Sequence, residues 1–199
     1  MGGRRRRTPQ EAQREIIEAA EALLRERPFR ELTVDEVMRR TGLSRPSFYV
    51  YFKDRHELVL RVVELIQTEM LELANRWYQA VGDGPEHLDE ALDGVIAVYE
   101  THGRVMRALA DAAADDPRVE AAYGSLVQAF VDETAKRIQD DIDGGRISKD
   151  LDACEVAKAL VWMCERYLYL TLGGDDRTLK ETVSATLRTI WMRVLYPAG

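Results

Sequence analysis

Between Thr33 and Arg55 the chain gathers hydroxyls at Thr33, Ser44, Ser47, Tyr49 and Tyr51, cations at Arg45, Lys53 and Arg55, and two apolar groups, Pro46 and Val50. These types suit a double-stranded nucleic acid. Arginine can donate twice to guanine O6 and N7, small apolar groups meet thymine methyls, and hydroxyls and cations hold the sugar-phosphate backbone. Four arginines at the N-terminus, Arg4, Arg5, Arg6 and Arg7, either follow that backbone or form a solvated tail. Catalysis has no comparable basis. His56, His87 and His102 stand far apart without ligand-spaced partners, and no Gly-rich phosphate loop, nucleophile elbow or paired-carboxylate signature occurs. We therefore expect no enzyme, no metal and no cofactor.

Positioning those groups requires short, well-punctuated helices. Thr8-Pro9-Gln10-Glu11 and Thr33-Val34-Asp35-Glu36 are both capping boxes that start helices, and Pro28 and Gly42 stop them. Ser44 is the expected cap of a third helix with Pro46 in its first turn, and Asp54 with Glu57 caps a fourth running to about residue 80. Two short helices joined by Thr41-Gly42-Leu43 form a helix-turn-helix. At 100° per residue, Phe48 and Phe52 turn to the core beside Leu43. Arg45, Pro46, Tyr49 and Val50 turn away, with Ser47 and Tyr51 on a flank. A plain aromatic core helix would leave Arg45, Tyr49 and the basic end at Lys53 and Arg55 unexplained.

Apolar periodicity is helical along the rest of the chain, with breaks expected at "GDGP" (82–85), Gly103, Asp116-Pro117, Gly144-Gly145 and Gly173-Gly174. The expectation is an all-α protein of about nine helices, the later ones near 87–101, 104–113, 117–142, 150–171 and 176–195. "GGDD" at 173–176 reads as a helix stop followed by an aspartate cap. Residues 1–8 form a basic arm, 9–55 a helix-turn-helix unit and 56–199 a helical body.

Charge supports that division. The 199 residues carry a net −7, yet residues 1–56 hold 13 Lys and Arg against 9 Asp and Glu, net +4, and the remainder 15 against 26, net −11. A basic end on an acidic body suits a molecule whose one end meets phosphate. No apolar run is long enough to span a membrane and no signal peptide precedes the first helix, so a cytoplasmic protein is expected. Cys154 and Cys164, about 15 Å apart along one helix, cannot pair with each other.

"LTVDEVMRRTGLSRPSFYVYFKDRHEL" resembles the DNA-binding segment of the TetR (tetracycline-repressor) family of bacterial regulators, and the resemblance runs from about Gln13 to Leu60. The polyarginine arm, "RPSFYVYF", "MCER" at 163–166 and Trp191 are further similar to the subgroup typified by the mycobacterial repressor of ethionamide activation. The resemblance implies a homodimer built on the last two helices. It also implies a ligand pocket in the C-terminal body whose filling moves the DNA-reading helices apart. Where that subgroup places two pocket asparagines, this chain has Val161 and Cys164, which favours an apolar ligand.

The residues of the body fit such a pocket. Val95, Val98, Tyr99, His102, Met106, Tyr123, Phe130, Trp162 and Trp191, with Trp77, Tyr78 and Met163, can line an apolar cavity, although each taken singly also reads as core packing. Helices 150–171 and 176–195 are apolar around much of their circumference, including Leu160, Leu168, Leu179, Val183, Leu187 and Val194. Such a surface fits a two-fold interface. Glu165 and Arg166 read as a buried pair, an interface bridge or solvated charges. The function expected is a repressor that binds a palindromic operator as a homodimer and is released by a small apolar effector. The alternatives are an all-α carrier or enzyme, or an activator with the same DNA-reading end.

Overall fold

The computed structural model describes residues 7–80, 84–114, 116–173 and 179–197, which form eight α-helices, one 3₁₀ turn and no strand among them. Helix α1 (Pro9–Glu26) begins at a reciprocal capping box: Thr8 Oγ1 accepts from Glu11 N, and Thr8 N donates to Glu11 Oε2 at 2.8 Å. Its stripe Ile16, Ile17, Ala20, Leu23 and Leu24 is buried. A 3₁₀ turn (Phe29–Glu31) follows, then α2 (Val34–Thr41), which ends at Gly42 with φ of 66°, a left-handed conformation that costs glycine little. The turn into α3 (Arg45–Tyr51) is closed by Thr41, whose hydroxyl donates to Met38 O at 2.9 Å and accepts from Leu43 N at 3.1 Å. Neither α2 nor α3 is long enough to persist alone, so α2 depends on docking against α1 and α3 on docking against α2.

The body comprises α4 (Arg55–Tyr78), α5 (Gly84–Ala113), α6 (Pro117–Asp143), α7 (Ala153–Thr171) and α8 (Lys180–Leu195). Aspartates cap three of these: Asp54 accepts from His56 N and Glu57 N, Asp116 from Arg118 N and Val119 N, and Asp152 from Cys154 N and Glu155 N. The break expected at Gly103 does not occur, and segments 87–101 and 104–113 are one helix, α5. Gly103 serves contact instead: a Cβ there would lie 2.7 Å from Leu172 O, so the missing side chain lets α5 meet the end of α7 backbone to backbone. The expected break at 82–85 and the aspartate cap at 175–176 fall outside the described residues, apart from Gly84 and Pro85, which lie in the first turn of α5. Helix α8 starts at Lys180 with no side-chain cap.

One core runs through both ends of the molecule, from Ile16 and Phe48 through Val62 and Trp77 to Leu109, Leu126 and Leu187. At the far end Arg137 is almost wholly buried. Its NH1 donates to Trp77 O and Ala80 O, both at 2.6 Å, closing the C-terminus of α4, while Nε lies 3.1 Å from Asp141 Oδ1. Asp141 also takes Arg146 and the Tyr196 hydroxyl, which fastens the end of the chain to α6.

Candidate DNA-reading surface and effector cavity

Helix α3 divides as its periodicity predicts. Phe48 and Phe52 are buried and in ring contact 5.5 Å apart, whereas Tyr49 and Val50 are 52% and 76% exposed. Arg45, Pro46 and Ser44 are exposed, and Ser47 and Tyr51 are half-buried. Arg45 NH1 lies 3.3 Å from Asp35 Oδ2 and interacts with the Tyr49 hydroxyl, so its guanidinium is held near the outward face. Ser44 occupies the N-cap position, yet its hydroxyl pairs with Ser47 Oγ at 2.8 Å in place of a backbone N–H, which corrects its expected role as a cap.

Other expected contacts have their own partners. The Thr33 hydroxyl donates to Glu36 Oε2 and accepts from Glu36 N, so it is engaged in starting α2. Arg55 donates to Arg30 O and Leu32 O at 3.2 and 3.0 Å and covers the Phe29 ring at 4.8 Å, which makes it a brace for the turn before α2. Lys53 is exposed next to it. Arg7 is docked, not free: NH2 donates to Thr41 O at 3.1 Å, at the negative end of α2, and Nε to Glu15. Arg4, Arg5 and Arg6 lie outside the described residues.

The body holds a partly open cavity of about 80 Å³ between α4, α5, α6, α7 and α8. Six of the residues expected there line it: Val95, Tyr99, Phe130, Val161, Cys164 and Trp191, and so do Trp77 and Tyr78. Five do not, and neither does Met163. Val98 and Met106 are packed in the core, Met106 two turns along α5 beyond Tyr99, Met163 is half-buried against that core, and Tyr123 stands behind the wall. Trp162 is 40% exposed on the outside of α7, because it follows Val161 by one residue and so by 100° of turn. His102 joins the two parts of the molecule, with Nδ1 2.7 Å from Glu21 Oε1 of α1 and Nε2 3.4 Å from Glu69 Oε2 of α4. A second histidine ties two helices of the body: His56 Nε2, in α4, lies 2.5 Å from Asp116 Oδ2 at the start of α6.

Residues 16–62 match the family described as "Bacterial regulatory proteins, tetR family", and residues 88–197 match "Transcriptional regulator EthR, C-terminal domain". The chain is 30% identical to the HTH-type transcriptional regulator EthR of Mycobacterium tuberculosis, covering 98% of this chain and 92% of that one. It belongs to the TetR family. EthR of Mycolicibacterium smegmatis is 27% identical over 98% of this chain and 91% of its own. A TetR-family regulator from Syntrophomonas wolfei shares the fold, with a TM-score of 0.81 at 13% identity over 94% of this chain and 95% of that one. The protein is thus a helix-turn-helix transcriptional regulator.

Within this TetR-family regulator, the residue the sequence left undecided is Glu165. It is 7% exposed, lines the cavity, and its Oε1 accepts from the Tyr123 hydroxyl at 2.5 Å. Arg166 instead points outward over the Tyr169 ring at 4.6 Å, so the adjacent charges separate by environment. Spacing held the signal: Val161, Glu165 and Leu168 share one face of α7. Burial pushes the Tyr99 and Tyr123 hydroxyls far above the ordinary tyrosine value, and nearby Glu165 adds to this, so both remain protonated. Burial likewise raises Tyr78 and the Cys164 thiol to about 12 each. Among the described residues no group of three or more His, Cys, Asp or Glu is placed to hold a metal, and no helix is long and apolar enough to cross a membrane.

Proposed function

We propose that this regulator is a repressor that binds a palindromic operator as a homodimer and leaves it when a small, largely apolar molecule fills the body cavity. The observation that carries the reading is the two-faced α3, with Phe48 and Phe52 buried and Tyr49 and Val50 presented outward beside Arg45. In this reading residues 9–55 are the DNA-reading unit, residues 56–199 the sensing and dimerising body, and residues 1–8 a basic arm. Arg45, Pro46, Tyr49 and Val50 meet base edges. Ser44, Ser47, Tyr51, Lys53 and the N-terminus of α2 at Thr33 meet backbone, with Arg4, Arg5 and Arg6 along it. Arg7 and Arg55 hold the unit in shape.

Two further observations support the dimer and the effector. Of the large apolar side chains exposed among the described residues, Trp162, Leu170, Leu179 and Val194 lie on or beside α7 and α8, where a two-fold partner would cover them. The cavity is smaller than the roughly 300 Å³ at which ligand sites usually begin, so an effector seated wholly within it would part its helices. Effector binding then selects the arrangement whose α3 helices no longer match successive major grooves.

The test is DNA binding by the purified protein to fragments upstream of its own and neighbouring genes, across a salt series. Sequence-selective binding that weakens with salt, two protomers per half-site pair, and release by a co-purified or added apolar compound support the reading. Binding that is absent or indifferent to sequence sinks it.

A further inference from the structure

We propose that the body cavity takes an organic cation, an apolar molecule bearing a protonated amine whose nitrogen pairs with the Glu165 carboxylate. The proposal deepens the effector reading and rests on it only for the step from binding to regulation.

Glu165 is the one charged side chain on a wall that is otherwise almost wholly apolar. Its two oxygens are unequally served. Oε1 has the Tyr123 hydroxyl, whereas Oε2 is buried without any hydrogen-bond partner. The nearest cation, Arg166 Nε, is 3.8 Å away from Oε2, beyond hydrogen-bond reach, and its guanidinium is held outward. Leaving a buried carboxylate oxygen unpaired is expensive, and a ligand that supplies an N–H there recovers the difference as affinity. A positive nitrogen recovers most, because the bond is then charge-assisted in a site of low dielectric.

The surroundings discriminate by sign. Tyr99 and Tyr123 are neutral, Cys164 is a thiol, and no Lys, Arg or His lines the cavity, so nothing there would neutralise an anion. A carboxylate ligand would face Glu165 directly. Trp77, Tyr99, Phe130 and Trp191 instead supply aromatic faces, which attract cations. Trp191 Nε1 is the other buried polar atom of this wall without a hydrogen-bond partner, and it can serve an acceptor elsewhere on the same molecule.

The experiment uses three probes of equal chain length, octylamine, octanol and octanoate, titrated into the full-length protein by calorimetry and by the fluorescence of Trp77 and Trp191. Octylamine is expected to bind about tenfold or more tighter than octanol, with octanoate weakest. Glu165→Gln should bring the amine down to the alcohol, and Tyr123→Phe, which frees the second oxygen, should keep or widen the preference. Octanoate binding as tightly as octylamine, no binding by any probe, or an amine preference that survives Glu165→Gln overturns the proposal. Should Glu165→Gln fail to fold, the ranking in the unsubstituted protein and in Tyr123→Phe decides. No titration contains DNA, so loss of the repressor reading and loss of this one are separate results.

Discussion

Arg45 is the side chain on which sequence recognition is expected to turn. Replacing it by alanine should lower discrimination at one base position by about 1–3 kcal/mol while leaving non-specific binding nearly intact, measured by competition between operator and random DNA. Asp35 restrains the same guanidinium at 3.3 Å and stands near the phosphates in the proposed complex. Asp35→Asn should therefore tighten binding to random DNA, read in the same competition. The cysteines make a complementary test of burial. Cys154 is exposed, whereas burial raises the Cys164 thiol to about 12, so iodoacetamide on the folded protein should give one adduct by mass, on Cys154. A second adduct without denaturant would show that α7 opens.

Helices were legible here because their ends are written in short chemical codes. Thr8, Thr33, Asp54 and the Asp116-Pro117 pair each mark a helix start that the structure contains, and Gly42 marks a stop, whereas α7 starts at its Asp152 cap and not at the expected 150. Gly103 was misread for a physical reason. A glycine at a helix end and a glycine at a close helix crossing look identical in one chain, and only the partner, Leu172, distinguishes them. The cavity suffers from the same ambiguity: Val98 and Val95 differ by three residues on α5, yet one packs in the core and the other faces the void. Gly103→Ala pits a helix-propensity gain of about 1 kcal/mol against a Cβ 2.7 Å from a backbone oxygen. Backbone cannot rotate aside as a side chain can, so a net loss of about 1–3 kcal/mol is expected in urea denaturation.

One surface and one junction matter most at the scale of the whole molecule. Trp162 and Leu170 lie two turns apart on the outer side of α7, and replacing both by glutamate should yield a folded monomer by sedimentation that has lost operator binding. At the junction of α1 with the body, the hydrogen bond from His102 holds the Glu21 carboxyl below the usual carboxylate range, with Arg25 assisting and burial opposing. A depressed native value means that the stabilisation is complete above the unfolded value near 4.5 and disappears as pH falls through the native one. The melting-temperature gap between the protein and Glu21→Gln should accordingly close on the acid side. The unbroken α5 gives that junction a further meaning. Tyr99 faces the cavity, His102 grips α1 less than one turn later, and Gly103 rests against the end of α7. Cavity wall, grip and bearing point thus share about 6 Å of one rigid rod. In the proposed release such a rod would act as a rocker pivoting at its glycine: a swing of Tyr99 would be handed to α1 without a loop to absorb it, and a small tilt at the pivot would grow with distance towards α3.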